Sequence, residues 1–311
     1  MEQPLRYVVV LLAGLAGLAS ACRRADTTPA PGASSSSRGT PPPNTPALTA
    51  LSELTNANLV LPPDRGAAER LPLLLLLHGF GDSGRHFAES SQWARFASTR
   101  RIAWVSPDGA LDSSGKRFWN AGPSCCNFDG LPIDHVGALR GLLERSLATG
   151  AIDPDQVFAL GFSNGGFLAH RLACELDGLV KAVVSISGAG PLETVPCPAR
   201  SAVRVLEIHG DSDPVVSYAG GRVFRRGAPR EHLSTERTVG DWAKRLGCRP
   251  DPRPAGELDL EAQLPGNETS IRRFEGCARG GVELWTVHGG QHALGFGGPG
   301  QGVIWSFLTT R

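Results

Sequence analysis

One short segment of the sequence could present a serine as a nucleophile. Ser163 lies in the pattern Gly161-Phe162-Ser163-Asn164-Gly165, which follows the apolar residues 157–160 and precedes leucines spaced four residues apart. Because a serine hydroxyl is a weak nucleophile, it must be aimed at a substrate beside a base, and a sharp strand-to-helix turn flanked by glycines does this. We therefore predict Ser163 as the nucleophile of an acyl-transfer reaction, in preference to a purely structural turn serine.

A carboxylate and a base that could serve this serine lie further along the chain. Asp211 and Asp213 follow an apolar strand candidate, and we favour Asp213 because Pro214 stiffens the turn that would hold its carboxylate. Asp211 is then interpreted as a turn residue whose side chain bonds nearby N–H groups. His288 and His292 follow a later strand candidate. We favour His292 as the base because it lies within a glycine-rich loop, from which it can reach the serine and the carboxylate.

Negative charge that develops on a substrate oxygen needs hydrogen-bond donors. One donor would be the backbone N–H of Asn164, at the start of the helix that follows the serine. The second is predicted to be the N–H of Phe80, in the segment His78–Gly84 after a run of five leucines. A tight connection that needs glycine only for its turn is the alternative for this segment. We expect His78 to brace the loop and Trp119 to line the substrate site, although a tryptophan in a loop is as often part of the core.

Strands that alternate with helices must position these residues. The strand candidates are short apolar runs at residues 73–77, 102–105, 157–160, 182–186, 203–208 and 283–287. Two helices are predicted from apolar residues at three- and four-residue steps, over residues 136–147 and 168–176. This alternation predicts an α/β fold with a mostly parallel central sheet and helices on both faces.

The N-terminal residues have the pattern of an export signal. An apolar run, Tyr7–Ala19, follows Arg6 and ends in small residues before Cys22, and it is too short to span a bilayer comfortably. We predict a signal peptide of the lipoprotein type over residues 1–21, with Cys22 as the lipidated residue. An ordinary signal peptide followed by an incidental cysteine is the alternative.

The rest of the chain divides into a tether and one large domain. Residues 22–50 are rich in serine and proline, so they cannot bury enough apolar surface to fold and are predicted to be disordered. Residues 51–311 form the predicted catalytic domain. The protein is thus expected to be exported, and either extracellular or anchored to the cell envelope by lipid.

Composition excludes some partners. Of the 311 residues, 41% are hydrophobic and 20% are charged, as is typical of globular proteins. Lysine and arginine number 31 against 30 acidic residues, so no overall field favours nucleic acid or an anionic membrane. We expect no nucleic-acid partner, membrane contact only through a lipid anchor, and a monomer.

The motifs together resemble those of the bacterial esterases related to polyhydroxybutyrate depolymerase and to secreted feruloyl and acetylxylan esterases. The resemblance covers about Leu51 to Arg311, and its matching segments are residues 78–84, 119–122, 125–126, 133–136, 161–166, 209–216 and 289–292. It implies an α/β-hydrolase fold in which Ser163, Asp213 and His292 form a catalytic triad. It also implies an ester substrate, in plant cell-wall polysaccharide or in a polyester oligomer.

Two segments depart from the family pattern. Asp134-His135 stands where the family often has two aspartates. Ala293-Leu294-Gly295 stands where Thr-Trp-Pro usually follows the catalytic histidine. Loss of that tryptophan removes a flat wall beside the pocket, which affects the expected substrate rather than the chemistry.

Six cysteines remain when Cys22 is set aside. An even number in an exported chain predicts disulfides without fixing their pairing. The resemblance implies the pairs Cys248–Cys277 and Cys174–Cys197, after which Cys125 and Cys126 would bond to each other or stay free. No cysteine or histidine spacing resembles a zinc cluster, so we predict no metal ion, and we expect no cofactor.

Two other functions are compatible with this fold. A peptidase of the prolyl-oligopeptidase type shares the fold and the triad order, but it usually carries an N-terminal propeller for which the tether leaves no room. An inactive binding module would have a damaged triad or oxyanion loop, and neither is damaged in the sequence. We therefore predict a secreted serine esterase, of the feruloyl esterase or polyhydroxybutyrate depolymerase-like kind, that acts through an acyl-enzyme.

Overall fold

The computed structural model describes residues 8–10, 57–223, 230–296 and 298–310, and its main feature is a ten-stranded sheet flanked by helices. The strands are β1 (Val8–Val10), β2 (Leu59–Leu61), β3 (Leu71–Leu77), β4 (Ala103–Val105), β5 (Ala110–Leu111), β6 (Arg117–Phe118), β7 (Ile152–Phe162), β8 (Ala182–Ile186), β9 (Arg204–Gly210), β10 (Gly221–Val223), β11 (Arg230–His232), β12 (Arg253–Leu258), β13 (Thr269–Phe274) and β14 (Gly281–Val287). The helices are α1 (Gly84–Ser90), α2 (Trp93–Thr99), α3 (His135–Ala148), α4 (Asn164–Glu175), α5 (Thr235–Leu246) and α6 (Gly298–Thr309).

The centre of the sheet is parallel and its edges are antiparallel. The strand order is β1-β2-β4-β3-β7-β8-β9-β14-β13-β12. Every neighbouring pair from β4 to β14 is parallel, whereas the pairs outside them are antiparallel. Two separate ribbons pair β5 with β6 and β10 with β11. The predicted mostly parallel central sheet is confirmed, and antiparallel strands extend it on both sides.

The leucine run of β3 forms the middle of two hydrophobic cores. Successive side chains of a strand point to opposite faces of the sheet. Leu73, Leu75 and Leu77 therefore pack with residues of α3, α4 and α5 on one face, while Leu74 and Leu76 pack with residues of α1, α2 and α6 on the other. All five side chains are fully buried. A continuous apolar run is needed here because helices cover both faces.

The sequence pattern located the central strands but not the edge of the sheet. The predicted strand at residues 182–186 coincides with β8, and the two predicted helices correspond to α3 and α4. By contrast, β12 and β13 have no counterpart among the predicted strands. β12 is exposed along most of its length and contains Arg253, Pro254 and Glu257, so it lacks the apolar pattern on which the prediction depends.

Most of the N-terminal predictions lie outside the described residues. Cys22 and the tether at residues 22–50 are among them, and of the predicted signal only Val8–Val10 is described, as a strand antiparallel to β2. The signal peptide, lipidation and export therefore stay predictions. Within the ranges that the structure describes, no helix combines the length and the apolar character needed to cross a membrane.

Disulfides connect segments that flank the helices. The two pairs implied by the resemblance are present: Cys174–Cys197 ties α4 to the loop after β8, and Cys248–Cys277 ties the end of α5 to the loop before β14. Cys125 and Cys126, whose state the sequence left open, bond to each other. Each of the two long-range bonds therefore links a helix to a loop that leads into a later strand, β9 or β14.

Replacement of Cys248 and Cys277 together by alanine should lower the free energy of unfolding by about 2–4 kcal/mol, because this crosslink restricts the unfolded chain. Its two cysteines are 29 residues apart in the sequence. Urea unfolding followed by circular dichroism measures the change. Ala278→Ser, at the exposed residue beside Cys277, is the control and should keep the wild-type midpoint. An unchanged midpoint in the double variant would contradict the prediction.

Candidate active site

Ser163 lies on a strained turn between β7 and α4. Its backbone has φ 52° and ψ −117°, and a positive φ is costly for a residue that carries a Cβ. Two glycines make the turn possible. A Cβ on Gly161 would lie 2.1 Å from the carbonyl oxygen of Gly165. A Cβ on Gly165 would lie 2.1 Å from the carbonyl oxygen of Leu77. The glycines on either side of the serine are therefore required by close backbone contacts, as the sequence pattern indicated.

Three side chains from three loops form one hydrogen-bonded series. Ser163 Oγ lies 3.0 Å from His292 Nε2, and His292 Nδ1 lies 2.7 Å from Asp213 Oδ2. Because a carboxylate can only accept, Nδ1 carries the proton and donates it to Asp213, which leaves Nε2 to accept from the serine hydroxyl. The loops follow β7, β9 and β14, whose carboxyl ends lie at one edge of the parallel sheet. The structure brings together the residues predicted as nucleophile, acid and base.

Asp213 is a buried carboxylate with several donors. Its side chain is fully buried. Its Oδ1 accepts from the backbone N–H groups of Val215 and Val216, at 2.7 and 2.9 Å, and Oδ2 faces His292 and, at 3.3 Å, His209 Nε2. Burial alone would raise the pKa of Asp213, but hydrogen bonds from His209 and His292 outweigh it and hold the pKa well below its ordinary value. The carboxylate is therefore ionised and fixed in orientation.

The alternative pair, Asp211 and His288, forms a separate contact at the surface. Asp211 Oδ2 lies 2.9 Å from His288 Nδ1, and Asp211 Oδ1 accepts from the backbone N–H of Gly289 at 2.8 Å. The other ring nitrogen of His288 lies 3.0 Å from Ser270 Oγ. This pair therefore links the loop after β9 to the loop after β14, and its further contact is with Ser270 rather than with Ser163. The expected turn role of Asp211 agrees with these contacts.

The position of His292 is set by contacts at the ends of β7 and β8. Ser187, directly after β8, donates its hydroxyl to the backbone carbonyl of His292 at 2.9 Å. The Phe162 ring lies against the imidazole, with centroids 5.2 Å apart. The His292 side chain is 17% exposed, so it is held on two sides while part of the ring stays accessible.

Both residues predicted to supply oxyanion donors adjoin the serine turn. Asn164 is the first residue of α4, and the first N–H groups of a helix have no acceptor within it. Phe80 follows Gly79, which lies so close to Phe162 that a Cβ on it would be 3.0 Å from the phenyl ring. The loop after β3 and the serine turn are therefore in contact. The donor roles of Phe80 and Asn164 stay predictions.

Trp119 does not line the site, contrary to the prediction. Its side chain is fully buried, and its Nε1–H donates to the backbone carbonyl of His78 at 2.9 Å. The backbone N–H of Trp119 donates to Asn164 Oδ1 at 2.7 Å, and Asn164 Nδ2 donates to the Trp119 carbonyl at 3.0 Å. Trp119 thus joins the two segments that contain the predicted oxyanion residues, and it cannot touch a substrate.

His78 braces the loop that follows β3, as expected. The imidazole is fully buried, and its Nδ1–H donates to the carbonyl of Gly79 at 2.7 Å while Nε2 accepts from the N–H of Gly109 at 2.9 Å. Burial lowers the pKa of His78, which keeps the ring neutral with one donor and one acceptor. The ring therefore fixes the loop and takes no proton during a reaction.

A buried series of polar side chains extends from Asp213 into the core. The sequence patterns described above do not indicate a functional role for His170, His209 or Glu207. His209 Nδ1 lies 3.1 Å from Glu207 Oε1, and Glu207 Oε2 lies 2.8 Å from His170 Nε2. All three side chains are buried. Glu207 was the available signal, because a glutamate in an apolar strand needs buried partners.

The sheet and its helices have the α/β-hydrolase arrangement, and the site has the geometry of a Ser-His-Asp triad. An acetyl xylan esterase from Aspergillus awamori superposes with a TM-score of 0.55 at 15% identity, covering 81% of this chain and 95% of that one. A Bacillus cereus carboxylesterase gives a TM-score of 0.53 at 16% identity, covering 83% and 97%. Identities this low establish the fold alone. The predicted α/β-hydrolase fold is confirmed.

The sequence comparisons identify esterases as relatives. The phospholipase/carboxylesterase family matches residues 134–227. Feruloyl esterase B of Piromyces equi is 29% identical over 243 residues, covering 76% of this chain and 41% of that protein. The putative esterase NocK of Nocardia uniformis subsp. tsuyamanensis is 29% identical over 239 residues, covering 72% and 65%. The aligned region is under two thirds of either relative. The resemblance to α/β-hydrolase esterases, which are carboxylic ester hydrolases, is confirmed.

The geometry predicts which residues make Ser163 reactive. His292→Ala and Asp213→Asn should slow labelling of Ser163 by a fluorophosphonate probe by about 10²–10⁴-fold, because the base is lost or held in the wrong tautomer. His288→Ala and Asp211→Asn are the matched controls and should label close to the wild-type rate, since that pair faces Ser270. Labelling over time is read by in-gel fluorescence. An equal loss of labelling rate in the two pairs of variants would contradict the assignment of His292 and Asp213 as base and acid.

Proposed function

We propose that the protein is a serine esterase that hydrolyses carboxylic esters through an acyl-enzyme. The observation that carries the proposal is the hydrogen-bonded series from Ser163 Oγ through His292 to the buried Asp213. An activated hydroxyl on a strand-to-helix turn suits attack on an acyl carbon. The esterase relatives support the same chemistry.

In the proposed reaction, His292 carries protons between the serine, the leaving group and water. As Ser163 Oγ attacks the ester carbon, Nε2 takes its proton, and Asp213 stabilises the imidazolium while the N–H groups of Phe80 and Asn164 donate to the oxyanion. The imidazolium then protonates the leaving alcohol oxygen, so the ester C–O bond breaks and the acyl group remains on Ser163. Water gives a proton to His292 and attacks the acyl carbon, which releases the acid and restores the hydroxyl.

We propose feruloyl esters as the substrate class, in preference to hydroxybutyrate oligomers. Several relatives are named as feruloyl esterases, among them Piromyces equi feruloyl esterase B and Neurospora crassa feruloyl esterase D. A cavity of about 210 Å³ adjoins Phe80 and includes Phe128, whose ring meets that of Phe80 edge-on with centroids 5.6 Å apart. Lys116 and Asp129 line the same cavity. An aromatic wall with polar groups beside it suits a phenolic acyl group better than an aliphatic hydroxy acid.

A larger cavity of about 970 Å³ is remote from the proposed nucleophile. It is lined by residues where β9 and β14 begin, among them Val203 and Val282, and by Trp285. Ser163 and His292 lie beyond the carboxyl ends of the parallel strands, at the other edge of the sheet. The size of this cavity does not make it the ester-binding site, because the reacting carbonyl must lie beside the serine hydroxyl.

We also propose that the protein is exported. The N-terminal pattern favours it, and the disulfides Cys174–Cys197 and Cys248–Cys277 support it. Such bonds persist in oxidising compartments and are rare in the cytosol. Lipidation at Cys22 would keep the enzyme on the cell envelope.

Ser163→Ala should lower turnover of p-nitrophenyl acetate by about 10³-fold or more, because the nucleophile is lost. Ser270→Ala, which removes a hydroxyl from the surface contact with His288, is the matched control and should keep the wild-type rate. Release of p-nitrophenol is followed by absorbance. Turnover of a prolyl peptide instead would indicate a peptidase, and no turnover of either substrate would indicate a binding module.

Phe128→Ala should lower kcat/KM for methyl ferulate about tenfold, because the aromatic wall of the cavity is removed, and should leave p-nitrophenyl acetate hydrolysis little changed. Steady-state kinetics on both esters measure the difference. Wild-type protein is also compared on methyl ferulate, acetylated xylan and hydroxybutyrate oligomers. Faster hydrolysis of the oligomers than of methyl ferulate would contradict the substrate class and leave the esterase proposal intact.

A further inference from the structure

A continuous series of buried hydrogen bonds runs from the proposed triad to Trp242. From Asp213 it passes through His209, Glu207 and His170, with separations of 3.3, 3.1 and 2.8 Å. It ends where the Trp242 indole Nε1 lies 3.0 Å from His170 Nδ1. The residues come from β9, the loop after β9, α4 and α5. The series therefore joins the catalytic edge of the sheet to the helices on one face.

The far end of the series fixes the proton of His170. An indole nitrogen can only donate, so His170 Nδ1 must accept from Trp242 and cannot carry a proton. His170 is then the neutral tautomer with its proton on Nε2, and it donates to Glu207 Oε2. One oxygen of Glu207 is thus committed as an acceptor.

Both ring nitrogens of His209 face acceptors. Nε2 lies 2.8 Å from the backbone carbonyl of Val216 and 3.3 Å from Asp213 Oδ2, and Nδ1 lies 3.1 Å from Glu207 Oε1. A carbonyl oxygen cannot donate, so Nε2 must carry a proton. If Glu207 is ionised, its oxygen can only accept, so a hydrogen bond between it and Nδ1 requires a proton on Nδ1 as well, and the ring is then an imidazolium.

The charge balance of the site favours the ionised glutamate. Burial would raise the pKa of Glu207, but hydrogen bonds from His170 and His209 hold it below its ordinary value. Burial would likewise lower the pKa of His209, but its bonds to Asp213 and Glu207 raise it to about 9. One buried cation between two carboxylates costs less than two uncompensated anions in the core.

We propose that His209 is a positioning residue that is protonated at neutral pH, an imidazolium that fixes the Asp213 carboxylate toward His292. The proposal rests on the esterase function proposed above. His209 touches neither the substrate nor the serine, and it acts only through Asp213. When His292 accepts the serine proton, its positive charge joins a cluster that holds two anions and one cation, so the transition state brings this cluster to neutrality.

Other groups face His209 from each element packed around it. The Thr235 hydroxyl, at the start of α5, lies 3.1 Å from Nδ1, and the Tyr218 ring meets the imidazole edge-on at 5.8 Å. His232, on β11, interacts with His209 through charge, and burial lowers the pKa of His232. Burial raises the pKa of Tyr218 to about 12. Neither neighbour therefore titrates near pH 9, where His209 is expected to lose its proton.

Nuclear magnetic resonance of the full-length wild-type protein, with ¹⁵N-labelled histidine, tests the protonation state directly. We expect both ring nitrogens of His209 to carry protons at pH 7 and to titrate near pH 9. The alternative is a neutral His209 whose Nδ1 accepts a hydrogen bond from the Thr235 hydroxyl or from a neutral Glu207. A His209 ring with one unprotonated nitrogen at pH 7 would overturn the proposal, whether or not the protein is an esterase.

Stability provides a second readout that does not depend on activity. Because folding raises the pKa of His209 above its unfolded value of about 6.5, its contribution to stability is full below that pH and is lost as pH rises through about 9. The urea midpoint of the wild type should therefore fall between pH 6.5 and 9. His209→Gln should show a lower midpoint at pH 6.5 and a flatter dependence. If the urea midpoints of the two proteins change with pH in parallel, the proposal is contradicted.

Kinetics distinguish positioning from a purely structural role. For p-nitrophenyl acetate, kcat/KM of the wild type should decrease above pH 9. The kcat/KM of His209→Gln should not show this decrease and should be roughly tenfold lower than that of the wild type at pH 8. His86→Gln, at an exposed histidine paired with Asp82, is the matched control and should keep the wild-type profile. An unchanged profile in His209→Gln would overturn the proposal, whereas failure of Ser163→Ala to reduce turnover would overturn only the esterase function.

Discussion

The site depends on keeping one buried carboxylate ionised. Asp213 is removed from water, so its charge must be balanced by donors that the protein itself supplies. Its own turn provides two backbone N–H groups, at Val215 and Val216, while the loop after β14 provides His292 and β9 provides His209. Each donor is useful only in one geometry. Satisfying the carboxylate therefore also fixes the imidazole that faces Ser163.

The parts of this arrangement that local chemistry dictates could be predicted from the sequence. Ser163 was found because its turn requires glycines at fixed positions, and those glycines are visible as a pattern. The central strands were found because a strand covered on both faces must be apolar throughout, as in the leucines of β3. Asp213 and His292 followed from the order in which loops succeed strands in a parallel sheet.

The parts that depend on contacts between distant residues could not be predicted. Trp119 is buried because its backbone pairs with Asn164, 45 residues away, and an isolated tryptophan in a loop carries no sign of this. The partners Glu207 and His170 are 37 residues apart, so neither residue type alone reveals the pairing. β12 was missed because it has no run or alternation of apolar residues, and only its pairing with β13 makes it a strand.

The same edge strand affects how readily the protein associates with other copies of itself. β12 is the last strand in the order of the sheet, and its register with β13 shifts between Pro254 and Gly256. Proline lacks an N–H, and a bulge with charged neighbours interrupts the row of backbone groups that an incoming chain would need. This border of the sheet is thus a poor template for strand addition, and it protects the fold from growing into cross-β aggregates when the protein is concentrated.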